Sequence, residues 1–356
     1  MKNKYYIYDR LNAIQRLRIL ENRDLVSGLR LNRNERVEDF PKNTLLKIFK
    51  NTPRYHLGKY PDQQDIYYYL SRFLKLKKNN LLLSSGIDGS LKTIFETMLK
   101  PEDKVAFIDP SYAMYNVFSN VYKVKAIKIS YNKSFKLEKD KLIRAIKNGI
   151  KILFLPNPNQ PIEDNLNLKD LRKICEICKK NKTVFVVDEA YHMFGSQSAV
   201  SLLKEFDNLI ILRTFSKSFG LPSIRLGYII SVPKIINYLE TYRLSYESNY
   251  LTDTVAVYFL KNINFIKNYI KKVISGREFV RKEMKKINIK VFGKKSNCLL
   301  IKFNSSDQYF KIIKALSDNK IYVKSGYNGM LTNLILITCG PITHMKRFVW
   351  IVKKYQ

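Results

Sequence analysis

The chain has 356 residues, 46% hydrophobic and 26% charged, a composition typical of a soluble globular protein with one large domain and a smaller one. No run of about 18 apolar residues occurs, and residues 1–10 lack the apolar core of a signal peptide, so we expect a cytoplasmic protein without a membrane span. The formal net charge is +34, but the basic residues form no block and no nucleic-acid-binding motif. We therefore expect no nucleic-acid partner, although the charge suits a phosphorylated substrate.

Between about residues 100 and 230, short β-branched runs alternate with amphipathic stretches. This alternation predicts an α/β fold with a mostly parallel sheet flanked by helices. Active sites of such sheets lie at the carboxyl ends of the strands, so the residues after these runs are the functional candidates. The predicted strands are Val105–Ile108, Val124–Ile129, Ile150–Leu155, Val184–Val187, Leu209–Leu212 and Leu226–Ile230, and the predicted helices are Gly89–Leu99, Tyr112–Val121, Glu138–Lys147 and Leu168–Lys180.

The pattern changes after about Pro233, where helical periodicity continues to about Ile287. Short strands are predicted at Cys298–Phe303 and Leu334–Thr338, with a helix between them from about Asp307. We interpret this region as a second, smaller α+β domain. The predicted divisions are an N-terminal arm over residues 1–40 that packs with the small domain, a large domain over 41–240, and the small domain over 241–356.

Cys175 and Cys178 form a C-x-x-C motif, which occurs in redox sites and in half of a zinc site. Both also fall on one helical face with Leu168, Leu171 and Ile174, and no second pair completes a metal set. We therefore predict that these cysteines pack in the core, and we predict no metal site.

Lys217 follows a predicted strand, between two serines, and lies eight residues before Arg225. A lysine that forms a Schiff base must lie next to an aldehyde and be shielded from full hydration. The Ser216 hydroxyl and the Arg225 guanidinium are groups that bind a phosphate. Taken alone, the segment is also compatible with a loop lysine on a basic protein.

Asp188 follows the hydrophobic run Phe185–Val187, which we expect to be buried. A buried carboxylate is costly without a cationic partner. A protonated pyridine nitrogen is such a partner, and the pairing keeps the ring electron-withdrawing. From this residue alone, a salt bridge or a metal ligand remains an alternative.

Three further segments adjoin predicted elements. Leu83–Ser90 runs into a helix whose free N–H groups suit a phosphate, and Gly86 lets the backbone come close to it. Tyr112 follows a strand and is placed to stack on an aromatic ring. The loop Leu155–Pro161 offers amide side chains for a phenolic oxygen, on a backbone that prolines hold rigid. Each segment alone also has an ordinary explanation, as a helix cap, one tyrosine among many, or a Pro/Asn turn.

In this order and at these spacings, the five segments resemble the fold-type-I enzymes that use pyridoxal 5'-phosphate (PLP). The chain is most similar to class I/II aminotransferases of the histidinol-phosphate aminotransferase type, from about Leu29 to Gly340. The specific part of the resemblance is Ser216-Lys-Ser-Phe-Gly-Leu221 and Arg225-Leu-Gly227, together with Asp188-Glu-Ala-Tyr191.

The resemblance implies a role for each matching residue. Lys217 is the Schiff-base lysine, Asp188 is the partner of the pyridine nitrogen, and Tyr191 bonds the phenolic oxygen. Tyr60 matches a tyrosine that reaches the phosphate from the neighbouring subunit, which implies a homodimer. The other implied cofactor-binding residues are Tyr112, which stacks on the ring, and Gly86, Ile87, Asp88, Thr214, Ser216 and Arg225, which surround the phosphate.

Two positions depart from the family pattern. Gln160 replaces the asparagine that bonds the phenolic oxygen, and carries the same amide group on a longer side chain. Leu336 replaces an arginine that grips the substrate carboxylate, a loss on the order of 2–5 kcal/mol in a closed site. The candidate substrate-binding residues are Lys324, which matches a basic family position near the substrate's distal phosphate, with Arg33 and Arg36 as other cations, and Asn32 beside Arg33 in the segment that covers the substrate.

These residues predict a PLP-dependent aminotransferase that moves an amino group from an amino acid donor to a small carbonyl substrate. We expect that acceptor to be phosphorylated, or sugar- or nucleotide-linked, and we expect Lys217 to move the proton as well. The alternative is a PLP-dependent decarboxylase of a phosphorylated amino acid such as phosphoserine or phosphothreonine. A basic nucleic-acid-binding or regulatory protein with a degenerate PLP site is a further alternative.

Overall fold

The computed structural model describes residues 27–356 of the chain. Its strands are β1 (Leu29–Arg30), β2 (Leu81–Ser84), β3 (Lys104–Asp109), β4 (Lys125–Ser130), β5 (Ile152–Pro156), β6 (Val184–Asp188), β7 (Leu209–Thr214), β8 (Gly227–Ser231), β9 (Lys290–Phe292), β10 (Cys298–Lys302), β11 (Ile321–Tyr322) and β12 (Leu334–Thr338). The α-helices are α1 (Thr44–Phe49), α2 (Gln64–Leu74), α3 (Gly86–Met98), α4 (Met114–Val121), α5 (Lys139–Lys147), α6 (Leu168–Lys180), α7 (Pro233–Glu240), α8 (Tyr250–Lys261), α9 (Ile263–Lys286), α10 (Ser306–Asp318) and α11 (Ile342–Tyr355).

A seven-stranded sheet forms the centre of the molecule, with strand order β2-β8-β7-β6-β5-β3-β4. Strand β8 is antiparallel to both of its neighbours, and the pairs from β7 to β4 are parallel. The predicted α/β fold with a mostly parallel sheet is therefore confirmed. In the register, Asp188 lies opposite Pro156 on one side and Leu212 on the other, and Thr214 lies opposite Gly227. The ends of these strands therefore meet at one edge of the sheet.

Both faces of this sheet are covered, which explains the nearly continuous apolar sequence of its central strands. In β5, for example, Leu153 and Leu155 belong to the core cluster on one face, and Phe154 belongs to the cluster on the other. Cys175 and Cys178 are fully buried on α6, so the prediction that they pack in the core is confirmed. Within residues 27–356, no group of three or more His, Cys, Asp or Glu side chains is placed to hold a metal ion.

The C-terminal region carries a second, three-stranded antiparallel sheet in the order β12-β10-β9. Helices α9 and α11 pack against each other, and α10 packs against α11. Strand β1 pairs in parallel with β11, so the part of the predicted arm that the structure describes contacts this region. Residues 1–26 of that arm lie outside the described residues, and the domain boundaries near 40 and 240 remain predictions. None of the helices in the described part of the chain is long and apolar enough to cross a bilayer.

Candidate active site

A cavity of about 890 Å³ opens where the carboxyl edge of the large sheet faces β11 and β12. Fourteen positions singled out from the sequence line it, which means that segments far apart in the chain converge on one space. They are Asn32, Arg33, Ile87, Asp88, Tyr112, Gln160, Asp188, Tyr191, Thr214, Ser216, Lys217, Arg225, Lys324 and Leu336.

Lys217 lies three residues beyond the end of β7, in a turn that the Thr214 hydroxyl holds by accepting from the Ser216 N–H at 3.0 Å. Its Nζ donates to the Asn34 carbonyl at 3.3 Å and lies 6.0 Å from the centre of the Tyr191 ring. Burial lowers the pKa of Lys217 below its usual range. The neutral, nucleophilic amine is therefore more populated here than on an exposed lysine.

Asp188 is the last residue of β6 and is only 5% exposed. Its carboxylate accepts from the Tyr115 hydroxyl at 2.8 Å and from the Ala190 N–H at 3.0 Å, and both donors are neutral. Burial raises the pKa of Asp188 to about 6. A buried carboxylate that has only neutral donors and faces a cavity is a site for a cation.

The start of α3 lines the same cavity and has the features of an anion-binding helix terminus. No side chain caps this helix, so its first N–H groups, including those of Ile87 and Asp88, remain available for a ligand. Gly86 has a φ of +68°, and a Cβ there would lie 2.9 Å from the Arg225 guanidinium, so glycine keeps this space open. Arg225 Nη2 lies 3.7 Å from an Asp88 carboxylate oxygen.

Two tyrosines and an amide line the same cavity as Lys217 and Asp188. The Tyr112 hydroxyl donates to Asp88 at 2.5 Å. Tyr191 accepts from Asn34 Nδ2 at 2.9 Å, and burial raises the pKa of Tyr191 well above its usual range, so its hydroxyl stays protonated. Gln160 Nε2 donates to Ser296 Oγ at 2.6 Å. The Gln160 Oε1 atom is buried and has no hydrogen-bond partner among the described residues.

Asn34 and Tyr115 belong to this site, and the sequence interpretation did not assign either of them. Asn34 adopts a left-handed φ of +57° and contacts both Lys217 and Tyr191. Asparagine tolerates this conformation, and Asn34 lies in the Leu31–Glu35 segment that resembles the family's substrate-covering segment, so the sequence indicated the segment but not the role of this residue. Tyr115 lies one helical turn after Tyr112 and is fully buried against Asp188.

Two residues that the sequence singled out, Arg36 and Tyr60, lie outside the cavity. Arg36 lies against the Phe40 and Tyr269 rings, at 4.2 and 3.7 Å from their centres, so its selection as a carboxylate-binding candidate was wrong. Tyr60 is 80% exposed and stacks on Tyr246 outside the cavity, with 4.7 Å between ring centres. Within one subunit, Tyr60 therefore takes no part in this site.

Lys324 and Leu336 lie directly opposite each other in an antiparallel bridge, with N–H···O distances of 3.0 and 2.8 Å. Residues paired in this way project their side chains from the same face, with Cβ atoms about 5 Å apart. Both residues line the cavity. The position that is an arginine in the family pattern is thus apolar, and a lysine lies beside it.

The residues present fit PLP. The buried Asp188 carboxylate suits a ring nitrogen that carries a proton, the uncapped start of α3 suits the phosphate, and the Lys217 amine suits the aldehyde. The fold and this site together define a class, the fold-type-I PLP enzymes.

The sequence profile of "Aminotransferase class I and II" matches residues 38–349. The chain belongs to this family and is a PLP-dependent aminotransferase. It is 30% identical to a histidinol-phosphate aminotransferase of Thermoanaerobacter pseudethanolicus, over 79% of this chain and 80% of that one. It is 31% identical to a histidinol-phosphate aminotransferase of Buchnera aphidicola, over 85% and 86% of the two chains.

Solved structures share the fold. A histidinol-phosphate aminotransferase from Sinorhizobium meliloti, solved in complex with PLP, has a TM-score of 0.82 and 20% identity, over 92% of this chain and 91% of that one. A PLP-bound C-S lyase from Staphylococcus hominis has a TM-score of 0.77 and 14% identity, over 94% of each chain. Because a lyase shares this architecture, the fold alone does not determine the substrate.

Proposed function

We propose that this aminotransferase transfers an amino group from an amino acid donor to a small phosphorylated carbonyl substrate. The observation that supports this proposal most directly is the Lys324–Leu336 pair on the wall of the cavity. A leucine side chain has no charge and no hydrogen-bond donor with which to bind a carboxylate, whereas the lysine ammonium binds phosphate well as a point charge. The relatives named above are aminotransferases, and we do not propose the decarboxylase that the sequence left open.

When bound, PLP supplies an aldehyde carbon and an electron-withdrawing ring. Lys217 Nζ would hold that aldehyde between turnovers, and once the substrate's amino group has replaced it, the freed amine would move a proton at the substrate carbon, for which its lowered pKa is suited. Asp188 would keep a proton at the ring nitrogen, and its hydrogen bond from Tyr115 fixes the carboxylate in place. Arg225 and the first N–H groups of α3 orient the phosphate.

The distal end of the substrate meets the wall formed by β11, β12 and the segment after β1. Lys324 and Arg33 supply positive charge there, and Asn32 adds an amide. A second cation is useful because a phosphate carries up to two negative charges at neutral pH. We propose these three residues as the groups that bind the substrate's phosphate.

We further propose that the protein acts as a homodimer, in which Tyr60 contributes to the site of the partner subunit. Tyr60 is one of nine large apolar side chains that are exposed in residues 45–60 and 242–251, and we infer that they form one exposed apolar face, the kind of surface that marks an interface. The two segments contact each other through stacked pairs, His56 with Tyr250 and Tyr60 with Tyr246. The exposed apolar face consists of Leu45, Leu46, Tyr55, Leu57, Tyr60, Tyr242, Leu244, Tyr246 and Leu251.

The substrate proposal is tested with the holoenzyme, glutamate or alanine as donor, and matched acceptors with and without the phosphate group. The phosphorylated acceptors are dihydroxyacetone phosphate, phosphonoacetaldehyde and imidazole-acetol phosphate. We expect kcat/KM for at least one of them to exceed that of its phosphate-free counterpart by about 100-fold, since a charged contact contributes about 2–5 kcal/mol.

The Lys324→Met variant separates phosphate binding from a general loss of activity. We expect a rise in KM of about 10- to 100-fold for the phosphorylated acceptor, with little change for the phosphate-free one. Lys302→Met removes an exposed lysine from the same small sheet and serves as the control. Equal kcat/KM for acceptors with and without phosphate, or equal effects of the two variants, would contradict the proposal.

A further inference from the structure

Glu163 joins the two sheets at the edge of the active site. It lies in the loop after β5, and its carboxylate accepts from three consecutive backbone N–H groups in the turn between β9 and β10. Oε1 accepts from Lys294 at 2.5 Å and from Lys295 at 2.7 Å, and Oε2 accepts from Ser296 at 2.9 Å. Hydrogen bonds from several N–H groups to one carboxylate are among the stronger ones in proteins, so this contact resists separation.

The same turn also holds Gln160, three residues before Glu163. Ser296 Oγ lies 2.6 Å from Gln160 Nε2, and the Ser296 carbonyl accepts from Arg277 Nη1 at 2.7 Å. Arg277 also donates to the Phe194 carbonyl at 3.2 Å, which ties the turn to the large domain a second time. Ser296 is fully buried, so its hydroxyl is a fixed partner for the Gln160 amide.

Gln160 has more rotational freedom than an asparagine would have at this place, because its side chain contains one more rotatable bond. Its amide has an acceptor, Oε1, and a donor, Nε2, and each can form hydrogen bonds. Nε2 carries two hydrogens, and Ser296 Oγ accepts only one of them, so the second N–H remains available as a donor. Gln160 lines the cavity, so that free donor suits an anionic oxygen on the cofactor ring.

We propose that Glu163 is a positioning residue, which acts through the 294–296 turn and Ser296 to hold the Gln160 amide against the phenolic oxygen of PLP. The carboxylate fixes the turn, the turn fixes the Ser296 hydroxyl, and the hydroxyl fixes the longer amide side chain. This inference rests on the proposed role of Gln160 and is independent of the identity of the substrate.

The test uses the visible absorption of the holoenzyme as a function of pH, without donor or acceptor. A hydrogen bond to the ring oxygen stabilises its deprotonated form, so loss of the donor raises the pH midpoint of the spectral change. We expect Glu163→Gln and Gln160→Ala each to raise this midpoint by about half a unit or more. The double variant is expected to shift it no further than Gln160→Ala alone, because both changes remove the same contact.

Asp164→Asn is the matched control. Asp164 is the next residue, and its carboxylate also accepts a backbone N–H, from Leu137 at 2.7 Å, but this bond lies within the large domain. We expect its midpoint to equal that of the wild type. In the apoprotein, hydrogen exchange at 294–296 should be faster in Glu163→Gln than in Asp164→Asn.

The outcomes separate the possible errors. If Gln160→Ala shifts the midpoint and Glu163→Gln does not, or if the two shifts add in the double variant, the positioning role of Glu163 is overturned. If neither variant shifts the midpoint, Gln160 does not contact the ring, and the proposed role of Gln160 fails together with that of Glu163. Should Glu163→Gln not fold, Ser296→Ala tests the next link, because it keeps the Glu163 carboxylate and removes the hydroxyl that holds Gln160, and a wild-type midpoint in that variant would overturn the proposal.

Discussion

Asp188 is the residue whose chemistry depends most on the cofactor. Its folded-state pKa of about 6 lies above the usual value of about 4, because burial disfavours the charged form. Between about pH 4 and pH 6, the folded apoprotein therefore binds more protons at this residue than the unfolded chain does. Stability falls as the pH rises through this window, by about 2–3 kcal/mol, and the loss is complete at pH 7.

Replacing Asp188 by asparagine removes this loss. We predict that apo-Asp188→Asn is more stable than the wild-type apoprotein at pH 7, by about 1–3 kcal/mol, and that the difference disappears below about pH 4. Urea unfolding of both apoproteins across this pH range measures it. Asp253 also has a pKa raised to about 6 by burial, but it is present in both proteins and cancels in the comparison.

When PLP is added, we expect the wild type to become more stable than Asp188→Asn at pH 7. The wild-type carboxylate then gains a cationic partner, whereas the amide of the variant gains none, so PLP stabilises the wild type more. Asp65→Asn, on the exposed surface of α2, is the control and should change neither comparison. An Asp188→Asn apoprotein that is less stable than the wild type at pH 7 would mean that the carboxylate already has a compensating partner.

At the scale of elements, the central strands could be predicted from their β-branched runs, because strands that are buried on both faces of a sheet have nearly continuous apolar sequences. Helix α6 has the predicted bounds, and the predicted strands from β3 to β8 each lie within two residues of the observed ends. Strand β2 was not predicted, because its second half was considered only as part of Leu83–Ser90, the approach to a helix. Strands β9 and β11 have three and two residues, which is too short for a periodic pattern.

The site was predictable only where a residue follows a strand or matches a motif. Lys217 and Asp188 met both conditions, and the register of β6 and β7 brings their strand ends together. Asn34, Tyr115 and Glu163 lie in segments that the sequence singled out, but their own roles depend on contacts between segments distant in the chain. Glu163 lies 131 residues before Lys294 in the chain, and no local sequence pattern predicts a contact between residues so far apart.

At the scale of the whole molecule, the proposed dimer makes a prediction about shared sites. Tyr60→Ala and Lys217→Ala homodimers should both be impaired, the first because each site lacks the partner's tyrosine. In a mixed dimer, one site contains Lys217 from the first chain and Tyr60 from the second. We therefore expect mixing and refolding the two variants to restore activity, to about one quarter of the wild-type value for random assortment.

The mixed sample is compared with each variant alone at the same total concentration. Restored activity requires that Tyr60 acts across the interface, because no single chain in the mixture carries both residues. If Tyr60 acted within its own subunit, mixing would restore nothing. A monomeric wild-type protein in light scattering would overturn the dimer itself.

Borohydride reduction of the PLP-loaded protein, followed by peptide mass spectrometry, tests the central claim most directly, since it identifies the lysine that binds the aldehyde. The chain offers many lysines, so the position of the adduct is informative. We predict a single phosphopyridoxyl group on the peptide that contains Lys217, and no such group in Lys217→Ala. An adduct on a different lysine, or none in the wild type, would contradict the assignment of this cavity as the active site.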